Sequence, residues 1–241
     1  MIEVKDVVMS FGDKIVLNRI STAFERGKTN LIIGRSGSGK TVLLKSIVGL
    51  LQVTQGEILF DDVVFNKLDF QKQKDIRRQI GMIFQGSALF DSMSVEQNIM
   101  FPLDMFTDMN LNSKRERVNF CLKRVNLENV NQLSPTELSG GMKKRVAIAR
   151  AISLNPKYLF CDEPNSGLDP QTSIVIDNLI KEITEEYNMT TIINTHDMNS
   201  VLEIGDKVTY IHEGRIEWEG TKDDILHSQN RHLDDFVFAS G

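Results

Sequence analysis

Short apolar runs at residues 29–33, 79–84, 157–162 and 190–195 each end on a polar or glycine-rich stretch. Runs of this length, rich in Ile, Phe and Thr, predict buried strands, and 208–211 repeats the pattern. Between them the spacing changes to that of a helix. Val42, Leu43, Leu44, Ile47, Val48 and Leu51 mark one buried face, so a helix is predicted over 42–51. Val118, Cys121, Leu122 and Val125 mark a second face, and Ile176, Leu179, Ile180, Ile183 and Tyr187 a third. Ser94 with Gln97, and Ser113 with Glu116, have the spacing of capping boxes, while Asp169-Pro170 reads as an N-cap followed by proline at the first helical position. The first 28 residues read as short strands turning at Gly12-Asp13, a β-rich flap. Alternating strands and helices imply a parallel sheet covered on both faces. The expectation is an α/β chain in one domain, 1–241. Its core would comprise 1–86 and 156–241, with a helical subdomain inserted at 87–155.

Charge and composition narrow the setting. A formal charge of −5 opposes broad electrostatic binding to nucleic acid, so no nucleic-acid partner is expected. Cys121 and Cys161 make neither a disulfide framework nor a metal site, and suit a reducing compartment. Cys161, inside an apolar run, reads as a small buried hydrophobe. The first residues lack a signal peptide's basic start and apolar stretch, and the apolar segment 41–51 is too short to span a bilayer and contains Lys45. A cytoplasmic chain is expected, with any membrane role exercised through a partner.

Gly34-Arg35-Ser36-Gly37-Ser38-Gly39-Lys40-Thr41 lies between a predicted strand and a predicted helix and matches the phosphate-binding P-loop without mismatch. Its glycines let backbone amides approach phosphate oxygens, Lys40 is placed for the β- and γ-phosphates, and Thr41 for Mg²⁺. ATP and Mg²⁺ are therefore the expected ligands. Asp162 closes the 157–162 strand as a second candidate Mg²⁺ residue, and Glu163 follows as candidate general base. Gln85 and His196 also end predicted strands. Open α/β sheets bind ligands at the carboxyl ends of their strands, so all these groups are expected on one edge.

Leu138-Ser139-Gly140-Gly141-Met142 resembles the LSGGQ signature of ABC ATPases, and the P-loop, Gln85, Asp162-Glu163 and His196 stand in that family's order over nearly the whole chain. The resemblance implies a P-loop NTPase (RecA-like) core with an N-terminal antiparallel β subdomain and an inserted helical subdomain. It also implies catalytic roles for Glu163, His196 and Gln85, with Gln85 contributing at the metal. Two copies would dock head to tail, so that Ser139, Gly140 and Gly141 of one reach the γ-phosphate held by the other. Ser166-Gly167-Leu168-Asp169 matches the family's interface loop, and Asp169 serves equally as a plain helix cap. Phe11 matches the position that stacks on adenine, in place of the commoner tyrosine. Met142 replaces the usual glutamine, leaving the Ser139 and glycine contacts untouched, so activity is expected to survive both departures.

Gln85-Gly86-Ser87-Ala88-Leu89-Phe90-Asp91-Ser92, continued by Val95, Glu96, Gln97 and Asn98, resembles the corresponding region of Mce/Mla-type lipid-transport ATPases. The 141–151 run and the tail at 236–241 are similar to that subfamily too, and the tail is too short for the regulatory domain of many sugar and methionine importers. The partners implied are a polytopic permease and, indirectly, Mce-type lipid-binding subunits, with this chain peripheral on the cytoplasmic face of the inner membrane. Leu89, Phe90, Phe101 and Met105 flank the cleft behind Gln85 where a permease helix would press, although most of them are expected to be core. The alternatives are an ABC ATPase that drives transmembrane signalling, as in cell division, and one serving another solute.

Overall fold

The computed structural model describes residues 1–239, so Ser240 and Gly241 of the tail lie outside the described residues. β1 (Ile2–Phe11) and β2 (Lys14–Phe24) form an antiparallel hairpin turning at Gly12 and Asp13. β3 (Thr29–Ile33) leads through the glycine-rich loop into α1 (Lys40–Ile47). β4 (Gln55–Phe60) and β5 (Val63–Val64) return to the hairpin, and α2 (Phe70–Arg77) precedes β6 (Ile80–Ile83). The helices α3 (Val95–Phe106), α4 (Leu111–Arg124) and α5 (Gly140–Ala151) follow. The chain then alternates through β7 (Tyr158–Asp162), α6 (Pro170–Glu186), β8 (Thr190–Asn194) and α7 (Met198–Ile204). It ends in β9 (Lys207–His212), β10 (Arg215–Gly220) and α8 (Arg231–Ala239).

Among the described residues the strands make a four-stranded sheet, β2-β1-β4-β5, and a six-stranded sheet, β10-β9-β3-β8-β7-β6. In the larger sheet β9, β3, β8, β7 and β6 are parallel. β10, which the sequence reading did not include, folds back antiparallel on β9 at the edge of the parallel core. Its residues alternate exposed and half-buried, as an edge strand with one wet face does, so it lacks the apolar run that revealed the central strands.

Each central strand is buried on both faces and divides its side chains between two cores. Leu31, Ile33, Leu159, Cys161 and Ile193 face the helical side with α3 to α7, while Ile32, Tyr158, Phe160 and Ile192 face the smaller sheet and α1. The alternation follows from the two-residue period of a strand. Cys121 and Cys161 are fully buried free thiols, as their apolar surroundings implied, and burial pushes the Cys121 thiol up to about 11.

Two helix boundaries differ from the sequence reading. The helix expected to reach Leu51 stops at Ile47, with Val48 as its C-cap. Gly49 then adopts φ +75°, and the Leu50 and Leu51 amides donate back to the Lys45 carbonyl at 2.9 and 3.2 Å. A glycine in the left-handed region ends the helix, and Leu51 packs on the core from outside it. The Ser113/Glu116 box is not used. Asn110 caps α4 by accepting from the Ser113 amide at 3.0 Å, because it offers an equally good cap oxygen three residues earlier. The Ser94/Gln97 box and the Asp169 cap form as expected.

Candidate active site

The strand order brings the candidate residues together. β3, β8, β7 and β6 are successive parallel neighbours, so the segments following them emerge along one edge. A cavity of about 540 Å³ at that edge is lined by Arg35, Ser36, Gly37, Gly39, Lys40, Thr41, Gln85, Glu163 and His196, with Val16, Val42 and Phe236. Ser38, within the loop, is buried, and Gly34 begins it. A side chain at Gly34 would collide with the Ile211 carbonyl, and Gly39, at φ +108°, occupies the N-cap of α1 in the left-handed region. Glycine is required at both.

Lys40 is buried and donates to the carbonyls of Gly34 at 2.8 Å and Arg35 at 3.2 Å, so its ammonium is held at the centre of the loop. Burial lowers its pKa, while Glu163 and Asp162 oppose that shift. The Thr41 hydroxyl donates to Asp162 Oδ1 at 3.3 Å. Adjacent oxygens in an octahedral Mg²⁺ shell, each about 2.1 Å from the ion, are separated by about 3 Å, so this hard-oxygen pair fits the cation.

Glu163 follows β7 with φ +50°, a costly conformation for a non-glycine residue, held by its amide donating to the Asn194 carbonyl at 2.9 Å. Its carboxylate is 2.8 Å from His196 Nδ1, and His196 is the more exposed of the pair. Gln85 donates to Ser166 Oγ at 3.1 Å, and its carbonyl accepts from the Lys144 ammonium. Arg150 donates to the carbonyls of Ser87 and Ala88 at 2.9 and 2.8 Å. Thus α5 grips the segment after β6 at two points. Behind the 163–169 loop, Asn165 donates to Asp177 Oδ1 at 2.7 Å. Burial pushes the Asp177 carboxyl up to about 6, against the hydrogen bonds from Ser200 and Asn165.

Other residues stand apart from the cavity. Ser139 and Gly140 are exposed, Gly141 is half-buried, and the three open α5, where Ser139 caps by accepting from the Met142 amide at 3.3 Å. Phe11 is half-exposed at the tip of β1, outside the cavity lining. The expectation that most of Leu89, Phe90, Phe101 and Met105 would be core is corrected. Leu89 packs on the core, but Phe90 and Met105 are exposed, and the Phe101 ring meets that of Phe90 at 5.0 Å, tilted by 57°. Phe90 and Phe101 line a groove of about 410 Å³ with Phe84 and Phe106, rimmed by Arg77, Arg78 and Arg150.

Sequence reasoning missed Asn194, Lys144, Arg150 and Asp177. Asn194 carried a signal, as a polar residue closing an apolar strand beside His196. His212, Glu217 and His232 lie close together elsewhere, but the two imidazoles stack at 4.3 Å and 18°. Ring-nitrogen lone pairs lie in the ring planes, so near-parallel stacked rings do not converge on one ion. That cluster is a stack with a His232–Glu217 pair at 2.7 Å.

The family model for ABC transporters matches residues 17–166. The chain is 39% identical over 237 residues to the intermembrane phospholipid transport system ATP-binding protein MlaF of Haemophilus influenzae, covering 98% of this chain and 90% of that one. It is 40% identical over 229 residues to the methionine import ATP-binding protein MetN of Carboxydothermus hydrogenoformans, covering 94% and 68%. Among solved structures, a dimeric post-hydrolysis state of the ATP-binding cassette MJ0796 bound to ADP and Pi aligns with a TM-score of 0.83 at 33% identity, covering 92% and 99%. The cassette cbiO1 of Clostridium perfringens, part of a cbiONQ transporter complex, aligns at 0.87 and 32%, covering 94% and 90%. A chain with this strand-end cavity and these relatives belongs to the ABC transporter family, as an ATP-binding subunit that hydrolyses ATP.

Proposed function

We propose that this ATPase powers phospholipid movement across a cell envelope through a separate permease. The observation that carries the cargo is the 39% identity to a phospholipid-transport ATP-binding protein over nearly the full length of both chains. The Gln85–Ser92 segment supports the same reading. Methionine import is the second reading, supported by similar identity to MetN proteins, of which the chain covers 68–76% of the length in two relatives.

In the proposed mechanism, the Gly34–Thr41 amides and Lys40 hold the phosphates, and Phe11 closes over adenine as nucleotide binds. Thr41 and Asp162, with Gln85, would hold Mg²⁺, which supplies neutralisation of developing phosphate charge. Glu163 accepts the proton of the attacking water, with His196 orienting its carboxylate. Ser139, Gly140 and Gly141 seal the γ-phosphate of a second copy of this chain. Their exposure, away from their own cavity, supports a role in trans. Residues 87–155 act as a helical unit moving against 1–86 and 156–241. The groove of Phe84, Phe90, Phe101 and Phe106 receives a cytoplasmic helix of the permease. Among the described residues no helix is long and apolar enough to cross a membrane. In this reading the chain works as a peripheral subunit on the cytoplasmic face of the membrane, with Mce-type subunits as indirect partners.

The test is to purify the complex formed with its permease and reconstitute it in vesicles. ATP-dependent change in vesicle phospholipid content is expected. ATP turnover without lipid transfer would overturn the cargo in favour of signalling, and ATP-dependent methionine uptake would replace it with import.

A further inference from the structure

A buried amide sits between the two proposed metal donors. Asn194 ends β8, the strand between β3 and β7, and stands in register with Ile32 on one side and Asp162 on the other. It is fully buried. Its amide nitrogen donates to Thr41 Oγ1 at 3.1 Å and to Asp162 Oδ1 at 2.6 Å. We propose that Asn194 is a positioning residue for Mg²⁺, its carboxamide holding the Thr41 hydroxyl and the Asp162 carboxylate in the orientation that receives the cation. This rests on the reading of Thr41 and Asp162 as the Mg²⁺ site.

The donor count supports the assignment. A hydroxyl has one proton and two lone pairs. Thr41 donates its proton to Asp162 and receives an Asn194 N–H on one lone pair, which leaves the other for a metal. Asp162 Oδ1 accepts from both Thr41 and Asn194, leaving Oδ2 clear of this network. Partners that hold metal ligands in this way set both ligand orientation and affinity.

A second buried asparagine in the same sheet provides the contrast. Asn30, on β3, satisfies both ends of its amide, accepting from the Glu25 amide and donating to the carbonyls of Glu25, Lys28 and Thr191. That is how a structural amide is buried. Asn194 instead leaves Oδ1 buried without a hydrogen-bond partner, while its nitrogen is committed to Thr41 and Asp162. An apolar side chain would avoid that desolvation cost, so fold stability alone does not account for an amide here. The bond that holds Glu163 comes from the Asn194 backbone carbonyl, so side-chain variants leave it in place.

The test uses the full chain, a fluorescent ADP analogue and Mg²⁺ titration, with Asn194→Val and the near-isosteric Asn194→Thr. With chelator present, the valine variant is expected to bind the analogue within about twofold of wild type. Its Mg²⁺ half-saturation should rise by about 10–100-fold, the usual scale for losing a partner of a metal ligand. The threonine variant, which keeps one hydroxyl donor, should recover part of that loss. An unchanged Mg²⁺ requirement in the valine variant overturns the proposal, as does an equal loss of binding with and without Mg²⁺. Should that variant fail to fold in a thermal melt, Asn194→Leu, close to asparagine in size and without a side-chain donor, makes the same comparison, and an unchanged requirement again overturns it. If wild-type binding itself is indifferent to Mg²⁺, the metal reading of Thr41 and Asp162 fails first, which separates the two outcomes.

Discussion

Two glycine-rich helix N-termini in this chain have similar chemistry and opposite situations. Gly34–Thr41 is locked into the sheet edge, with Lys40 buried against its own loop and Thr41 tied to Asp162 and Asn194. Ser139–Gly141 opens α5 with Ser139 and Gly140 exposed, and none of the three lines the cavity proposed for nucleotide. Both present amides to an anion, since any helix start does. The first segment lines the cavity proposed for its ligand within one chain, whereas the second stands outside that cavity and, in the proposed mechanism, meets the phosphate of a second copy. In the proposed mechanism, local chemistry makes a phosphate-binding element, while position in the fold decides whose phosphate it binds.

The largest test of this difference falls on the built half. Glu163→Gln should keep ATP affinity and slow turnover by about 10²–10⁴-fold, the scale of losing a general base. Single-turnover hydrolysis measures it, and full activity removes Glu163 from the role. Ser139→Arg should leave binding of ATP by one chain intact while lowering turnover by about 10²-fold or more, as when a transition-state donor is lost. Sedimentation of a Glu163→Gln background with ATP checks the cause, because dimers that persist after adding Ser139→Arg contradict a shared site.

A smaller effect probes the loop between the halves. Asp177 has a folded pKa of about 6, above the usual carboxylate range, so the native state binds more protons than the unfolded chain between about pH 4 and pH 6. Stability therefore falls through this window as pH rises, and the penalty is fully present above it. Asp177→Asn, which keeps an acceptor for Asn165, should gain about 1 kcal/mol on wild type between pH 5 and pH 8 in denaturant unfolding. A gap that does not change with pH would remove Asp177 as the titrating group. The finest comparison sets two capping serines side by side. Ser94→Ala and Ser139→Ala should each cost about 1 kcal/mol of stability. Only Ser139→Ala should also slow hydrolysis; equal turnover in both would reduce Ser139 to a helix cap.

Much of the active edge was legible because it is written in contiguous residues. The P-loop, Asp162-Glu163 and His196 each follow an apolar run, and a parallel sheet sends such positions to one edge. Asn194 was passed over because its neighbours across the sheet, Thr41 and Asp162, are distant in sequence. Nothing in the local spacing of Lys144 and Arg150 marks a target for either, and only packing aims them at the carbonyls after β6. β10 escaped notice for a different reason, since an edge strand with one wet face lacks a dense apolar signal.

Period and local stereochemistry, which are short-range, determined from the sequence alone where most strands and helices lie, which loop is the candidate phosphate cradle and which carboxylate closes β7. Competing caps at Asn110 and Ser113, the left-handed Gly49 that cuts α1 short, and the division of each central strand between two cores were settled only by tertiary structure. So was the outward placement of Ser139. These outcomes depend on free energies of burial and hydrogen bonding summed over residues far apart in the chain, a quantity that no local window of sequence contains.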